Sequence, residues 1–288
     1  MKFDPANLDR RVIYVLIILA LGFPLIYGYS IEPARMQSAE SFYSVVDQLE
    51  IEANDFAFVA LDFGPNTQGE NRPQAEAIIE HLMRRRVPVV VFSQYALAEP
   101  FLRAVPEAII ERLEAENPGE TWEYGTDWVD LGYRAGTAVL IQGIPRAPDL
   151  AEFFRRDARG NDLKDLQMFS EVVEFKNLKI LAQFTGLVGT FDTYVQFFQT
   201  REHRPIFGHG STSITIPEAY IYIDSGQLHG LLEGLAGAAW YSHLLNAEYP
   251  ERAIDPIGVI NTGLGIAQLL IIVLVIFGNV MSFKKGSL

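Results

Sequence analysis

The chain contains no cysteine. Disulfides, a cysteine nucleophile, thiolate-ligated iron–sulfur clusters and cysteine-type zinc sites are therefore excluded. Histidine is sparse as well: the five present form no H-E-x-x-H or other ligand spacing, and His81 falls on a predicted helix. On that basis no metal and no cofactor are expected. The P-loop and G-x-G-x-x-G patterns are also missing; "FTGLVGTF" has two glycines after a strand but neither spacing, and its Thr190 is read as a helix cap. Basic residues are outnumbered, 23 Lys and Arg against 36 Asp and Glu, for a net charge of -13. A surface of that sign repels nucleic acid and anionic lipid headgroups.

Charge is wholly absent from two long runs. "VIYVLIILALGFPLIYGY" (12–29) is just long enough to cross a hydrocarbon layer of ~30 Å at ~1.5 Å per residue, and "GVINTGLGIAQLLIIVLVIFGNVMSF" (258–283) exceeds that length. Both read as transmembrane helices in contact with membrane lipid, the first bent near Pro24. Lys2, Arg10 and Arg11 precede the first run in the manner of a signal peptide, yet "YGYS" offers no small-x-small cleavage site, so an uncleaved anchor is expected. With Lys284 and Lys285 after the second run, the positive-inside tendency places residues 1–11 and 284–288 in the cytoplasm and 30–257 in the periplasm or outside the cell.

Within 30–257, apolar runs alternate with helical patterns, the signature of an α/β fold: a doubly wound, mostly parallel sheet of about five strands. "DFAFVALDF", "VPVVVFS", "DWVDLGYR", "LKILAQFT" and "RPIFGH" are the strands; "RPQAEAIIEHLMRRR", "ALAEPFLRAVPEAIIERLEAENPG" and "FDTYVQFFQTRE" are helices between them. "GTAVLIQGI" fits strand or helix. Residues 143–177 suggest an insertion or a lid.

Ligands of open α/β sheets gather at the carboxyl ends of the strands. Those ends would collect Asp62 with Asn66, Thr67 and Glu70; Ser93 with Gln94; Thr185; and His209 with Ser211 and Thr212. Asp62 and Glu70 could hold a cation or act as acid and base, and "GHGSTS" could suit a Ser/His hydrolase. The plainer reading makes the loop glycines turn formers, the acids acceptors for loop amides, and Thr215 with Glu218 a capping box. Ser211 lacks the G-x-S-x-G elbow and no third triad member is placed by spacing.

The stretch "SGQLHGLLEGLAGAAWY" sets Gly226, Gly230, Gly234 and Ala238 four apart, as if along a helix running from about residue 217 to 246. Asp224, His229 and Glu233 make it a soluble contact face rather than a third span, with His229 and Glu233 spaced to pair. In the second apolar run Gly258, Thr262, Gly263, Ala267 and Gln268 form close-contact and polar positions suited to helix packing.

At "LDFGPNTQGENRPQA" and "SGQLHGLLEGLAGAAWY" the chain resembles a group of uncharacterised bacterial membrane proteins with an Asp-aromatic-x-Pro loop, a "SGQL...GL..GL.GAA" helix and two terminal spans. The resemblance implies the two-span layout and no particular reaction. In that group an acidic residue tends to stand where this chain has Trp240, which would weaken any site built there. The function expected from the sequence is a non-catalytic, membrane-anchored subunit packing with itself or with other membrane proteins. Alternatives are a small-molecule-binding or sensory domain, and last a tethered hydrolase using Asp62, Glu70, His209 or Ser211.

Overall fold

The computed structural model describes residues 10–252 and 255–286. Most of the expected N-terminal tail (1–9), the end of the C-terminal tail (287–288) and residues 253–254 lie outside the described residues. The chain divides into two units, the terminal segments up to Ala34 and from Arg252, and the stretch Arg35–Glu251.

The terminal unit pairs α1 (Arg10–Tyr27) with α10 (Pro256–Gly286). Both are long and apolar enough to cross a membrane. Gly28 ends α1 by taking φ +63°, open to glycine without strain. Val259, Thr262, Gly263 and Ala267 are buried, and a Cβ on Gly263 would lie 3.3 Å from the Leu21 carbonyl oxygen of α1. Gly258 sits against Asp255 and Ser30, and Thr262 Oγ1 accepts from the Ile31 amide at 2.8 Å. Gly258, Thr262 and Gly263 thus have close neighbours within this unit, and Ala267 is buried. Gln268 differs: its side chain is exposed.

The larger unit is α/β, with a six-stranded sheet in the order β3-β2-β1-β4-β5-β6: β1 (Phe56–Leu61), β2 (Val89–Ser93), β3 (Trp128–Tyr133), β4 (Leu178–Thr185), β5 (Ile206–Ser211) and β6 (Gly230–Glu233). All five pairings are parallel. Every residue of β1 and β2 is buried, as expected for parallel strands covered on both faces. One face is covered by α2 (Gln37–Asp47), α3 (Gln68–Arg84), α4 (Glu99–Glu116) and α9 (Gly234–Glu248). The other meets α5 (Thr137–Gly143), α6 (Leu150–Phe154), α7 (Thr190–Phe198) and α8 (Ile216–Asp224), around a core in which Phe58 and Phe92 stack at 4.1 Å. Each such fully buried ring contributes about 1.5–3 kcal/mol of burial.

The ambiguous "GTAVLIQGI" is helical. Residues 143–177 make up most of the crossover from β3 to β4; Ile144, Leu150, Phe154, Leu163, Phe169 and Phe175 bury into the core, so the stretch is a wall of the domain rather than a lid.

The glycine ladder is corrected. Gly226, Gly230, Gly234 and Ala238 do not share a helix: α8 ends at Asp224, Gly226 turns with φ +70°, Gly230 opens β6 opposite Gly208, and Gly234 starts α9 with φ +56°. The spacing of four is read by two turns and a strand because Leu231 and Leu232 bury on opposite faces of a strand. The paired Gly208 and Gly230 form a notch filled by Phe42 of α2; a Cβ on either would come within 2.0 or 2.2 Å of that side chain. His229 and Glu233 do not pair, since His229 Nδ1 accepts from the Phe207 amide and Glu233 from the hydroxyls of Ser38 and Tyr220. Nor does the capping box form: Thr215 makes no side-chain cap bond and its Oγ1 donates to the Thr212 carbonyl at 3.2 Å. Thr190 is the first residue of α7 and Gly189 occupies the cap.

Candidate functional site: the carboxyl ends of the strands

In this strand order, chain direction across the sheet reverses between β1 and β4, and the crevice outside that junction is where open α/β sheets take ligands. Asp62 follows β1 at that point and is fully buried. Its Oδ1 accepts from Ser93 Oγ and the Gln94 amide, both at 2.9 Å. Its Oδ2 accepts from Gln183 Nε2 at 3.1 Å and from the Tyr194 hydroxyl at 2.9 Å. Burial pushes the Asp62 carboxyl up, opposed by these four donors. Tyr194, buried beside it, is pushed well above the usual phenol range, first by burial and then by the carboxylate. Thr185 completes the seam: its hydroxyl donates to the Asp62 carbonyl at 2.8 Å and accepts from the Leu187 amide at 3.0 Å.

The network ties four elements together at the switch point, and Asp62, Ser93, Gln94 and Thr185 all belong to it. His209 lies beside it on β5, one strand beyond Gln183. Its Nδ1 lies 3.0 Å from the Gln183 carbonyl oxygen and so carries the donated proton, its ring stacks on Phe191 at 4.4 Å, and burial pushes it down to about 3. The imidazole is therefore neutral across the physiological range. Ser211 Oγ makes no hydrogen bond, so His209 and Ser211 are not joined as base and nucleophile.

The other predicted residues go elsewhere. Glu70 Oε2 accepts from the Ser213 amide at 2.9 Å and its hydroxyl at 2.5 Å, which fastens the loop after β5 and removes Glu70 from Asp62. Asn66 is exposed and Thr67 half-buried. Gly186 brings the loops after β1, β4 and β5 into contact, since a Cβ there would meet Thr67 and Thr212 at under 3.0 Å. Thr212 Oγ1 faces Thr215 Oγ1 at 3.2 Å.

Sequence reasoning missed Gln183, Tyr194 and the clamp formed by Asn71 and Gln74. Gln74 Nε2 donates to the carbonyls of Ser211, Leu232 and Gly234 at 2.8–3.0 Å, and Asn71 Nδ2 to Gln74 Oε1 and Gly210, so α3 holds the ends of β5 and β6 together. The available signal was an amide inside an otherwise apolar strand, "LKILAQFT", which a buried position must satisfy with partners.

Above the network lies a cleft of about 400 Å³ lined by Gln94, Tyr95, Thr137, Leu187, Val188, Gly189, Thr190 and Thr193. Four segments that follow strands expose an aliphatic side chain: Leu97 after β2 is 56% exposed, Val139 on α5 77%, Val188 after β4 72% and Ile214 after β5 88%. Comparison with protein-family models, curated proteins and solved structures gives no match to this chain.

Proposed function

We propose that the chain is a non-catalytic, membrane-anchored subunit whose α/β domain docks protein partners, other copies or other membrane-protein subunits, through the loops at the carboxyl ends of its strands. The aliphatic rim of Leu97, Val139, Val188 and Ile214 carries this reading. Four such side chains in solvent are unfavourable in a lone domain, and covering them returns about 25 cal/mol per Å² of apolar surface. The cleft at this end is lined without a charged residue, in keeping with the depletion of charge at the core of protein interfaces. Gln268 adds support from the terminal unit, because an exposed amide within an apolar span gains a partner by helix association. In this proposal α1 and α10 are the membrane anchors, both termini are cytoplasmic and the domain lies outside. The motif resemblance to two-span bacterial membrane proteins agrees with that layout. Solubilising the full chain in mild detergent and comparing co-purifying proteins for the native sequence and a Leu97→Ser, Val188→Ser, Ile214→Ser variant tests it.

A second reading is favoured by one observation. Gln94 Nε2 is buried without a hydrogen-bond partner at the edge of the 400 Å³ cleft, beside the amino end of α7. A small polar ligand accepting from that amide would make this a binding or sensory domain. A thermal-shift screen in which Gln94→Ala abolishes a ligand's stabilising effect would favour it, and partner loss in the rim variant would favour the first.

A further inference from the structure

Away from the strand ends, the helices of the α3 face bring together three residues far apart in sequence: Asp47, the last residue of α2; His81, on α3; and Glu248, the last residue of α9. One potential ligand atom from each lies within 4.8 Å of the other two. His81 has no solvent exposure, its Nε2 makes no hydrogen bond, and that nitrogen stands 3.9 Å from Asp47 Oδ1, beyond hydrogen-bond reach. The other face of the ring is fully specified. Nδ1 lies 2.7 Å from the Tyr241 hydroxyl, and the Tyr43 ring stacks on the imidazole at 4.6 Å.

When the single proton of His81 sits on Nδ1 and is donated to Tyr241, the Nε2 lone pair is aimed at two carboxylates. Three electron-rich atoms converging without a proton between them repel one another; a cation placed among them reverses the sign of that interaction.

We infer that Asp47, His81 and Glu248 form a binding site for a divalent transition-metal ion of the zinc class. One imidazole and two carboxylates suit Zn²⁺, whereas Ca²⁺ and Mg²⁺ favour sets made of oxygen alone. Tetrahedral bonds of about 2.0–2.2 Å put ligand atoms about 3.3–3.6 Å apart. Closing from the present separations takes rotations of Asp47 and Glu248, which are half-buried and exposed, while His81 stays fixed. The second layer is in place. Tyr43 donates its hydroxyl to Glu248 and so orients that carboxylate, and Tyr241 fixes the His81 tautomer. Arg85 is the competitor, 3.4 Å from Asp47 Oδ1, but its guanidinium also donates to the Leu49 carbonyl at 3.1 Å and can rest there. The exposed side at Glu248 leaves the fourth position to water. Bound metal would join α2, α3 and α9, three elements of one face.

The test uses the full chain in detergent micelles, stripped with chelator, then titrated with Zn²⁺ against a chromophoric competitor and with Co²⁺ by visible absorption. One ion per chain is expected, with Glu248→Gln and Asp47→Asn, at accessible positions, each weakening Zn²⁺ at least about tenfold, and Tyr43→Phe weakening it less. Circular dichroism establishes that each variant is folded. Substoichiometric Zn²⁺ on the native chain, or unchanged affinity in folded Glu248→Gln and Asp47→Asn, overturns the site and leaves His81 with its proton on Nε2.

Discussion

The carboxylate of Asp62 accepts a 2.9 Å hydrogen bond from the hydroxyl of Tyr194, a residue of α7 packed beneath the switch point of the sheet. With Ser93, Gln94 and Gln183 donating to the same group, the acid most suggestive of chemistry in the sequence is spent on holding four elements in place. Replacing it with Ala takes the acceptor from the Gln94 amide, Gln183 Nε2 and the Tyr194 hydroxyl, while Ser93 Oγ keeps the Tyr95 carbonyl at 3.3 Å, at a cost of about 1–3 kcal/mol per buried group left unpaired. Asp62→Asn retains an acceptor for Ser93 and Gln94 and is expected to cost less than Asp62→Ala. Urea unfolding of the two variants measures the order; equal losses would mean that the bonds from Ser93 and Gln94 contribute little.

The notch at Gly208 and Gly230 makes a second, independent case. A Cβ on Gly208 would lie 2.0 Å from Phe42 Cζ, so Gly208→Ala is expected to destabilise by about 1–3 kcal/mol through overpacking. Phe42→Ala in that background should recover part of the loss, giving a favourable coupling in a double-mutant cycle. Additive losses would separate Phe42 from the glycine.

Acid dependence follows from His209. Its pKa is lowered in the fold to about 3 from 6.5, so the unfolded chain binds the proton first. The stability it secures is full above about pH 6.5 and is lost as pH falls toward 3, at up to about 1.4 kcal/mol per pH unit. Asp130, pushed up to about 6 mainly by burial, acts in the opposite sense: its contribution is full below about 3.8 and is lost as pH rises through 6. The two oppose each other between about 6 and 4, so the informative quantity is a difference. The stability of His209→Gln should fall less steeply on acidification from pH 6.5 to 4 than that of the native chain, as read by denaturant titrations at each pH. Parallel curves would remove His209 as the cause.

Much of the fold was legible in the chain because fully buried parallel strands leave unbroken apolar runs: "FAFVAL", "VVVFS" and "LKILAQFT" could be little else. Strand β6 was not, since four glycine and alanine positions at helical spacing outweighed a four-residue strand, and only the Gly208–Gly230 pairing across the sheet distinguishes them. At the strand ends, Asp62, Ser93, Gln94 and Thr185 were legible as a group because topology alone gathers them. What they do was not, because the direction a carboxylate faces depends on Gln183 and Tyr194, which come from distant segments. The same distance hid Asp47, His81 and Glu248 from any search by spacing. The aliphatic tips Leu97, Val139, Val188 and Ile214 look like core residues until the sheet places them outside.

Native gel electrophoresis of the full chain from mild detergent, with mass spectrometry of what co-migrates, tests the proposed docking role most directly. The native sequence should migrate as a complex larger than one chain. The folded Leu97→Ser, Val188→Ser, Ile214→Ser variant should lose its partners while remaining in the membrane fraction. A native chain that runs as a lone monomer with nothing bound, or a rim variant that keeps every partner at native levels, would contradict it.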